Sequence, residues 1–325
     1  MMSQLTYREA VTAALAAELE RDEDVIVLGE DVGAAGGVFK ATEGLFERFG
    51  PRRVRDTPIS EQAIVGCALG AAITGLRPVA EVMFADFSGV CHDQIANQLA
   101  KFRYMTGGQA SVPVTVRLAN GGGVGFAAQH SQSVENWFLN VPGLRICVPG
   151  TPAAAYGLLR SAIRDDNPVL FFEHKALYAT RGEVPLPDGL VPLGSAEVVR
   201  EGADLTVVAT QLMRHRALEA AGLLAGEVDV ELIDPRTLAP LDVETIVRSV
   251  QKTSRMLCVQ ECPPAGSWGA SVIASVVEEA FEHLDARPRL LSGDETPIPY
   301  SEALEEAWLP SVERIATAIR TLAEE

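Results

Sequence analysis

The most unusual run in this 325-residue chain is Asn120-Gly121-Gly122-Gly123-Val124-Gly125-Phe126-Ala127-Ala128-Gln129-His130-Ser131-Gln132. Its glycines let backbone turn sharply and approach a ligand closely. His130 follows them, flanked by polar side chains, where a ring nitrogen could give or take a proton near neutral pH. A lone histidine is also a common structural residue, and composition leaves both readings open. Gly123, Gly125 and Ala128 formally fit a dinucleotide fingerprint, but the run does not follow the first strand and no acidic residue stands about 20 positions on to hold a ribose. A second run, Asp56-Thr57-Pro58-Ile59-Ser60-Glu61, sets a carboxylate at the start of an apolar helix containing Ala63, Ile64, Val65, Ala68 and Leu69. Such an acid can simply favour the positive helix terminus, by about 0.3–1 kcal/mol. Alternatively, apolar surroundings disfavour its charged form and let it donate a hydrogen bond to a ring nitrogen. Serine-hydrolase, zinc-protease and phosphate-loop signatures are absent. Cys67, Cys91, Cys147, Cys258 and Cys262 are scattered without zinc-ligand spacing and read as structural thiols in a reducing compartment.

The elements that must carry these residues alternate. Thr6 and Glu9 form a capping-box pattern ahead of Val11, Ala14, Leu15 and Leu19, which predicts a helix ending near Asp22. Val25 to Leu28 is a short apolar run that stops at Gly29-Glu30-Asp31, as a buried strand does. Helices are expected over 61–74, 93–104 and 152–164, and strands over 78–84, 113–118, 144–148 and 169–173. Residues 182–189 are rich in Pro and Gly and read as a linker, placing domains at 1–185 and 186–325. Beyond it, strands are expected over 205–210, 228–233 and 256–260, and helices over 214–224, 242–251, 270–283 and 311–323. The pattern is that of an α/β protein with largely parallel sheets.

With 27 Lys+Arg against 44 Asp+Glu, the net charge of −17 gives no support for neutralising a nucleic-acid backbone. No apolar run reaches the roughly 20 residues of a membrane span, and residues 1–9 lack the pattern of an export signal. A cytoplasmic protein that binds neither nucleic acid nor membrane is expected. Glu278, Glu279, Glu282, Asp294 and Glu295 give the C-terminal part an acidic bias, suited to solvated faces or to a basic partner.

Five motifs occur in order: D-T-P-I-S-E (56–61), G-L-R-P-V-A-E (75–81), A-A-Q-H-S-Q (127–132), P-G-L-R (142–145) and A-I-R-D-D-N-P-V (162–169). Together they make the whole chain resemble the β subunit of thiamine-diphosphate-dependent 2-oxo acid dehydrogenases, the decarboxylating first component of pyruvate, branched-chain and acetoin dehydrogenase complexes. The resemblance implies a transketolase-like pyrimidine-binding domain with a parallel sheet, followed by an α/β transketolase C-terminal domain. It implies that Glu61 is the carboxyl group that hydrogen-bonds the aminopyrimidine ring nitrogen and promotes loss of the thiazolium proton. Ile59, Met83 and Phe87 then pack around that ring, although each would otherwise pass as a core residue. His130 corresponds to the active-site histidine that helps protonate the reacting intermediate and supports acyl transfer to a lipoyl arm. Val114, Ala162, Ile163, Asp165 and Asn167 fall where some relatives bind structural potassium.

The same resemblance exposes an absence. Thiamine enzymes carry a G-D-G motif with paired asparagines that holds magnesium diphosphate, and Gly293-Asp294-Glu295 approaches it only near the wrong end of the chain. The resemblance therefore implies an α subunit that holds the diphosphate and Mg2+, an α2β2 heterotetramer, and docking of the subunit-binding domain of a lipoyl acyltransferase. Residues 83–89, 101–105 and 173–178 are more similar to the acetoin and bacterial pyruvate types, with pyruvate expected first, than to the branched-chain type. Two other readings stand beside it: a transketolase-like half enzyme with a non-lipoyl acceptor, and a non-catalytic assembly module. The presence of both Glu61 and His130 argues against the last.

Overall fold

The structure is a computed structural model and describes residues 2–325. Its strands are β1 Met2–Thr6, β2 Val25–Gly29, β3 Val54–Asp56, β4 Arg77–Val82, β5 Thr115–Asn120, β6 Arg145–Cys147, β7 Val169–His174, β8 Arg181–Pro185, β9 Glu197–Arg200, β10 Leu205–Ala209, β11 Val230–Asp234, β12 Thr237–Ala239, β13 Met256–Val259 and β14 Arg289–Leu291. The α-helices are α1 Tyr7–Arg21, α2 Leu45–Phe49, α3 Glu61–Ile73, α4 Ala100–Met105, α5 Pro152–Arg164, α6 Gln211–Leu223, α7 Val243–Thr253, α8 Trp268–Ala280, α9 Glu302–Trp308 and α10 Val312–Ala323. The α/β alternation expected from the sequence is present throughout.

Two compact units form: one takes the chain up to Asn120 with Trp137–Leu193, the other Gly121–Asn136 with Gly194–Glu325. Composition placed the boundary at 185/186 and left residues 121–136 with the first domain. The reason for the difference is local. Residues 181–185 are not linker but β8, paired antiparallel with β1 from Met2↔Pro185 to Thr6↔Arg181.

In the first unit the strands β6-β7-β5-β4-β2-β3 lie side by side, all parallel. Val25–Gly29 is buried along its whole length, which is why it reads as a continuous apolar run instead of an alternating one. The chain leaves β2 to one side for β3 and returns on its other side as β4. Their carboxyl ends therefore flank a topological switch point, where ligands bind in open α/β sheets. The capping box of α1 is made: Thr6 N donates to Glu9 Oε2 at 2.7 Å and Glu9 N to Thr6 Oγ1 at 3.2 Å. These hydrogen bonds hold Glu9 below the ordinary carboxylate range. On α5, Thr151 accepts from Ala154 N and Pro152 supplies the first helical position. Glu18 of α1, fully buried, takes guanidinium groups from Arg160 and Arg164 of α5 at 2.8 Å each and from Arg21 at 2.6 Å. Hydrogen bonds from these arginines outweigh burial and lower its pKa.

The single helix expected over 93–104 is instead a π-helix, Gln94–Leu99, running into α4. Wide turns of this kind are local insertions that cluster near functional sites. Gly143, from the P-G-L-R motif, packs on the junction: its φ is +103° and a Cβ there would overlap the Ala100 carbonyl. Lys101 Nζ closes the same contact on Pro142 O at 2.7 Å. Gly143→Ala is expected to destabilise the chain by about 2–5 kcal/mol, from backbone strain plus overpacking. A urea midpoint equal to that of the unaltered chain would contradict this placement.

In the second unit the sheet order is β14-β13-β10-β11-β9, parallel except for β9. Helices α6 and α10 bury Met213, Ala217, Ile315 and Ile319 against β10, β11 and β13. Four of the five thiols are buried. Burial pushes all four thiols well above the ordinary range, Cys91 up to about 12, which disfavours the reactive thiolate.

Candidate active site

The first unit's residues converge on the carboxyl ends of β2, β3 and β4. In register, Gly29 faces both Asp56 and Glu81. The next residues of each strand thus share one edge: Glu30 after β2, Thr57 to Glu61 after β3, and Met83 to Phe87 after β4. Asp56 fixes the first turn, accepting from Gly33 N at 2.6 Å, and its carboxylate fills the space a Gly33 side chain would need. Thr57 N donates to Gly29 O at 2.9 Å, which ties the β3 exit to β2. The D-T of the motif is therefore scaffolding for Ile59 and Glu61.

Glu61 opens α3, a helix whose N-cap, Ser60, makes no side-chain capping bond. Among the described residues no hydrogen bond or ion pair takes up the Glu61 carboxylate. Beside it Ile59 is 76% exposed and the Thr57 hydroxyl is buried without a hydrogen-bond partner. Burial, then the charges of Asp31 and Glu61, push the Glu30 carboxyl up. Met83 and Phe87 are half-buried, and Phe87 stands edge-to-face on Phe84, centroids 5.4 Å apart. A carboxylate and a hydroxyl left without internal partners, beside an apolar side chain that stays exposed, fit a flat heteroaromatic ring that needs one hydrogen-bonding acid and apolar cover. Glu61, Ile59, Met83 and Phe87, named from sequence, are thus brought to one edge.

Beneath them lies a charged network that sequence reasoning missed. Arg117 of β5 donates to Glu173 of β7 at 2.6 and 2.9 Å and to Glu81 of β4 at 2.5 Å, and Tyr178 Oη donates to Glu173 at 2.9 Å. All are buried, and with Met83 and Phe39 they line a small cavity. Burial pushes Glu81 up; the Arg117 guanidinium opposes this, and the charge of Glu173, which takes the two-pronged contact, adds to it. The signal was in the sequence: one charge interrupts each of three apolar strands, Glu81, Arg117 and Glu173.

The five residues assigned to a cation are also gathered. Val114 O accepts from Val169 N at 2.9 Å, Ala162 O from Asp165 N at 3.2 Å, and Ile163 O from Arg77 Nη1 at 3.1 Å. Arg77 reaches Asp165 O at 3.3 Å as well. The Asp165 carboxylate pairs with Arg145 at 2.8 Å and accepts from Asn167, whose Oδ1 takes Arg103 at 2.9 Å. Each carbonyl keeps a second lone pair, so the oxygens could still serve a monovalent cation.

His130 belongs to the second unit. Its segment turns at Ala127, which has φ +61°, and His130 N donates to Ala127 O at 3.4 Å. Gly121 N donates to Gln132 O at 3.2 Å across the neck of the loop. At Gly293, of the G-D-E triplet, a Cβ would overlap the Glu261 carbonyl and the Trp308 ring, so that glycine answers to close packing. Among the described residues no helix is long and apolar enough to cross a membrane.

The chain matches two family models, the transketolase pyrimidine-binding domain over residues 3–181 and the transketolase C-terminal domain over residues 194–315. It is 46% identical to the β subunit of an acetoin:2,6-dichlorophenolindophenol oxidoreductase of Cupriavidus necator, covering 98% of each chain. It is also 46% identical to a 2-oxoisovalerate dehydrogenase β subunit of Bacillus subtilis, covering 99% of this chain and all of that one. A pyruvate dehydrogenase E1 β subunit of Rhizobium meliloti is 42% identical over 99% of this chain and 70% of its own length. Among solved structures, a split-gene transketolase in an inactive β4 tetramer superposes with a TM-score of 0.80 at 25% identity, over 98% of both chains.

Proposed function

Because the chain belongs to the family of β subunits of the thiamine-diphosphate-dependent 2-oxo acid and acetoin dehydrogenases, we propose that it forms the pyrimidine half of a site for oxidative decarboxylation of a 2-oxo acid, pyruvate first. The observation that carries the reading is Glu61: a carboxylate without an internal partner, at a switch-point edge, beside an apolar side chain left 76% exposed. Acetoin is the second reading, favoured by the relative from Cupriavidus necator.

Thiamine diphosphate, when bound, supplies the nucleophile and electron sink that a 2-oxo acid needs to lose carbon dioxide, and no side chain can replace it. The chain's own residues bind, orient and handle protons. Glu61 offers its carboxyl to the aminopyrimidine ring nitrogen, and Ile59, Met83 and Phe87 cover the ring and exclude water. Glu30 stands beside Glu61 on the same edge, its pKa raised by burial and by the charges of Asp31 and Glu61. His130 gives and takes a proton at a ring nitrogen during acyl transfer to the lipoyl arm.

The diphosphate and Mg2+ are assigned to an α subunit in an α2β2 heterotetramer, and the inactive β4 tetramer of the split-gene transketolase supports the need for a second chain. The acidic residues 278–295 are assigned to docking the acyltransferase's subunit-binding domain, and the oxygens around Ala162–Asn167 to potassium. The test is dye-acceptor reduction by the chain copurified with its α partner, given pyruvate, acetoin and 3-methyl-2-oxobutanoate side by side, in KCl and again in NaCl. Turnover led by pyruvate and raised in KCl is expected. Leading turnover of acetoin would move the reading to that substrate, and equal rates in both salts would remove potassium.

A further inference from the structure

The glycine-rich loop that carries His130 is held by two carboxylates from distant parts of the second unit. Gly123 N donates to Glu305 Oε1 at 2.9 Å and Gly125 N to Glu305 Oε2 at 2.8 Å. Gly122 N donates to Glu261 Oε2 at 3.2 Å, and Ser133 Oγ donates to the same oxygen at 2.9 Å. Glu305 is 2% exposed, so its charge is answered by these amides and not by water. A Cβ at Gly122 would lie 3.3 Å from Glu305 Oε1, close enough to press on the clamping carboxylate, and 3.7 Å from Leu309. Gly123 and Gly125 have φ +84° and +75°, the conformation that turns alternate amides toward one acceptor.

Both carboxylates are themselves anchored. Glu305 lies on α9, whose Trp308 is buried with Leu309 and Ile298, and Trp308 Nε1 donates to Thr296 O at 3.0 Å. Glu261 follows the strand β13, and its carbonyl and the Trp308 ring occupy the space that a side chain at Gly293 would need. Helix α9 and the exit of β13 thus hold one loop together. Charge-assisted bonds to backbone amides are about twice as strong as neutral ones and fix geometry without touching the reacting side chain.

We propose that Glu305, assisted by Glu261, is a positioning residue that sets the backbone of the 121–130 loop and through it the His130 ring. This rests on the reading of His130 as the proton-transfer group. Gln at 305 keeps the size but offers one acceptor and one donor, so one glycine amide faces an N–H. Asp keeps both acceptors on a shorter arm.

The test uses the assembled α–β enzyme with Glu305→Gln and Glu305→Asp, each alone and combined with His130→Ala. Hydrogen exchange of the peptide spanning 121–130 is expected to quicken at least tenfold in Glu305→Gln and less in Glu305→Asp. Activity of Glu305→Gln is expected to fall about 10- to 100-fold in kcat with KM little changed, and to fall no further when added to His130→Ala. Unchanged exchange would overturn the clamp. Quickened exchange with equal activity losses in both backgrounds would overturn its action through His130. Full activity of His130→Ala would instead defeat the reading of His130, while the exchange result still decides the clamp. If the Glu305 variants fail to assemble, Ser133→Ala removes one Glu261 donor and must quicken exchange of the same peptide, or the clamp is wrong.

Discussion

Glu61→Gln, in the chain assembled with its α partner and saturated with cofactor, is expected to lower kcat by about 10²- to 10⁴-fold, the range that a positioned acid or base contributes. The fold should survive. Glu61 sits at the first position of α3, partly exposed and without an internal partner, so the variant loses only its favourable place at the helix N-terminus, about 0.3–1 kcal/mol. The amide still reaches a ring nitrogen as a donor, but it cannot exchange a proton there. Cofactor affinity is therefore expected to move less than kcat, since Ile59, Met83 and Phe87 remain. Undiminished turnover would remove Glu61 from the chemistry.

Arg117→Met carries the largest expected effect on stability. The substitution leaves Glu81 and Glu173 buried without the guanidinium that now answers both, and breaking one partner of a buried ion network costs about 3–5 kcal/mol. The pH dependence has a definite sign. Burial, joined by Glu173's charge, raises the folded-state pKa of Glu81, with Arg117 opposing. A carboxyl raised in this way binds its proton more tightly in the native chain, so its contribution is fully present below the ordinary carboxylate range and is lost as pH rises through the raised value. Without Arg117 the rise is larger and the window of loss extends upward. The Tm deficit of the variant is expected to be greatest at alkaline pH and to narrow as pH falls toward the ordinary carboxylate range. A deficit independent of pH would show that Glu81 does not titrate in that window.

Much of this architecture was legible in the chain because local rules and tertiary context agree. The capping box at Thr6 and Glu9, the buried run from Val25 to Leu28 and the helix start at Pro152 were all readable from periodicity and end chemistry. Glu61, Ile59, Met83 and Phe87 were legible as a group only through the family resemblance, and the structure carries them to one edge by setting β2, β3 and β4 side by side. Three things were not legible. Strand β8 was hidden by Pro and Gly because an edge ribbon tolerates both, and only its partner β1 makes it a strand. The π-helix at Gln94–Leu99 has the composition of an ordinary helix, and its wider turn is seen only in the hydrogen bonding. The Glu305 clamp joins residues separated by 180 and 182 positions, and nothing in the local pattern of Glu302–Trp308 distinguishes a solvated acid from one buried on two glycine amides.

The central claim is that this chain holds one half of a divided cofactor site. The most direct measurement is dye-acceptor reduction with pyruvate, thiamine diphosphate and Mg2+ by the chain alone, by its α partner alone and by the two mixed. Turnover only in the mixture, abolished by Glu61→Gln, is the expected result. Turnover by this chain alone, or a mixture that binds cofactor and turns over equally well with Gln at that position, would contradict it.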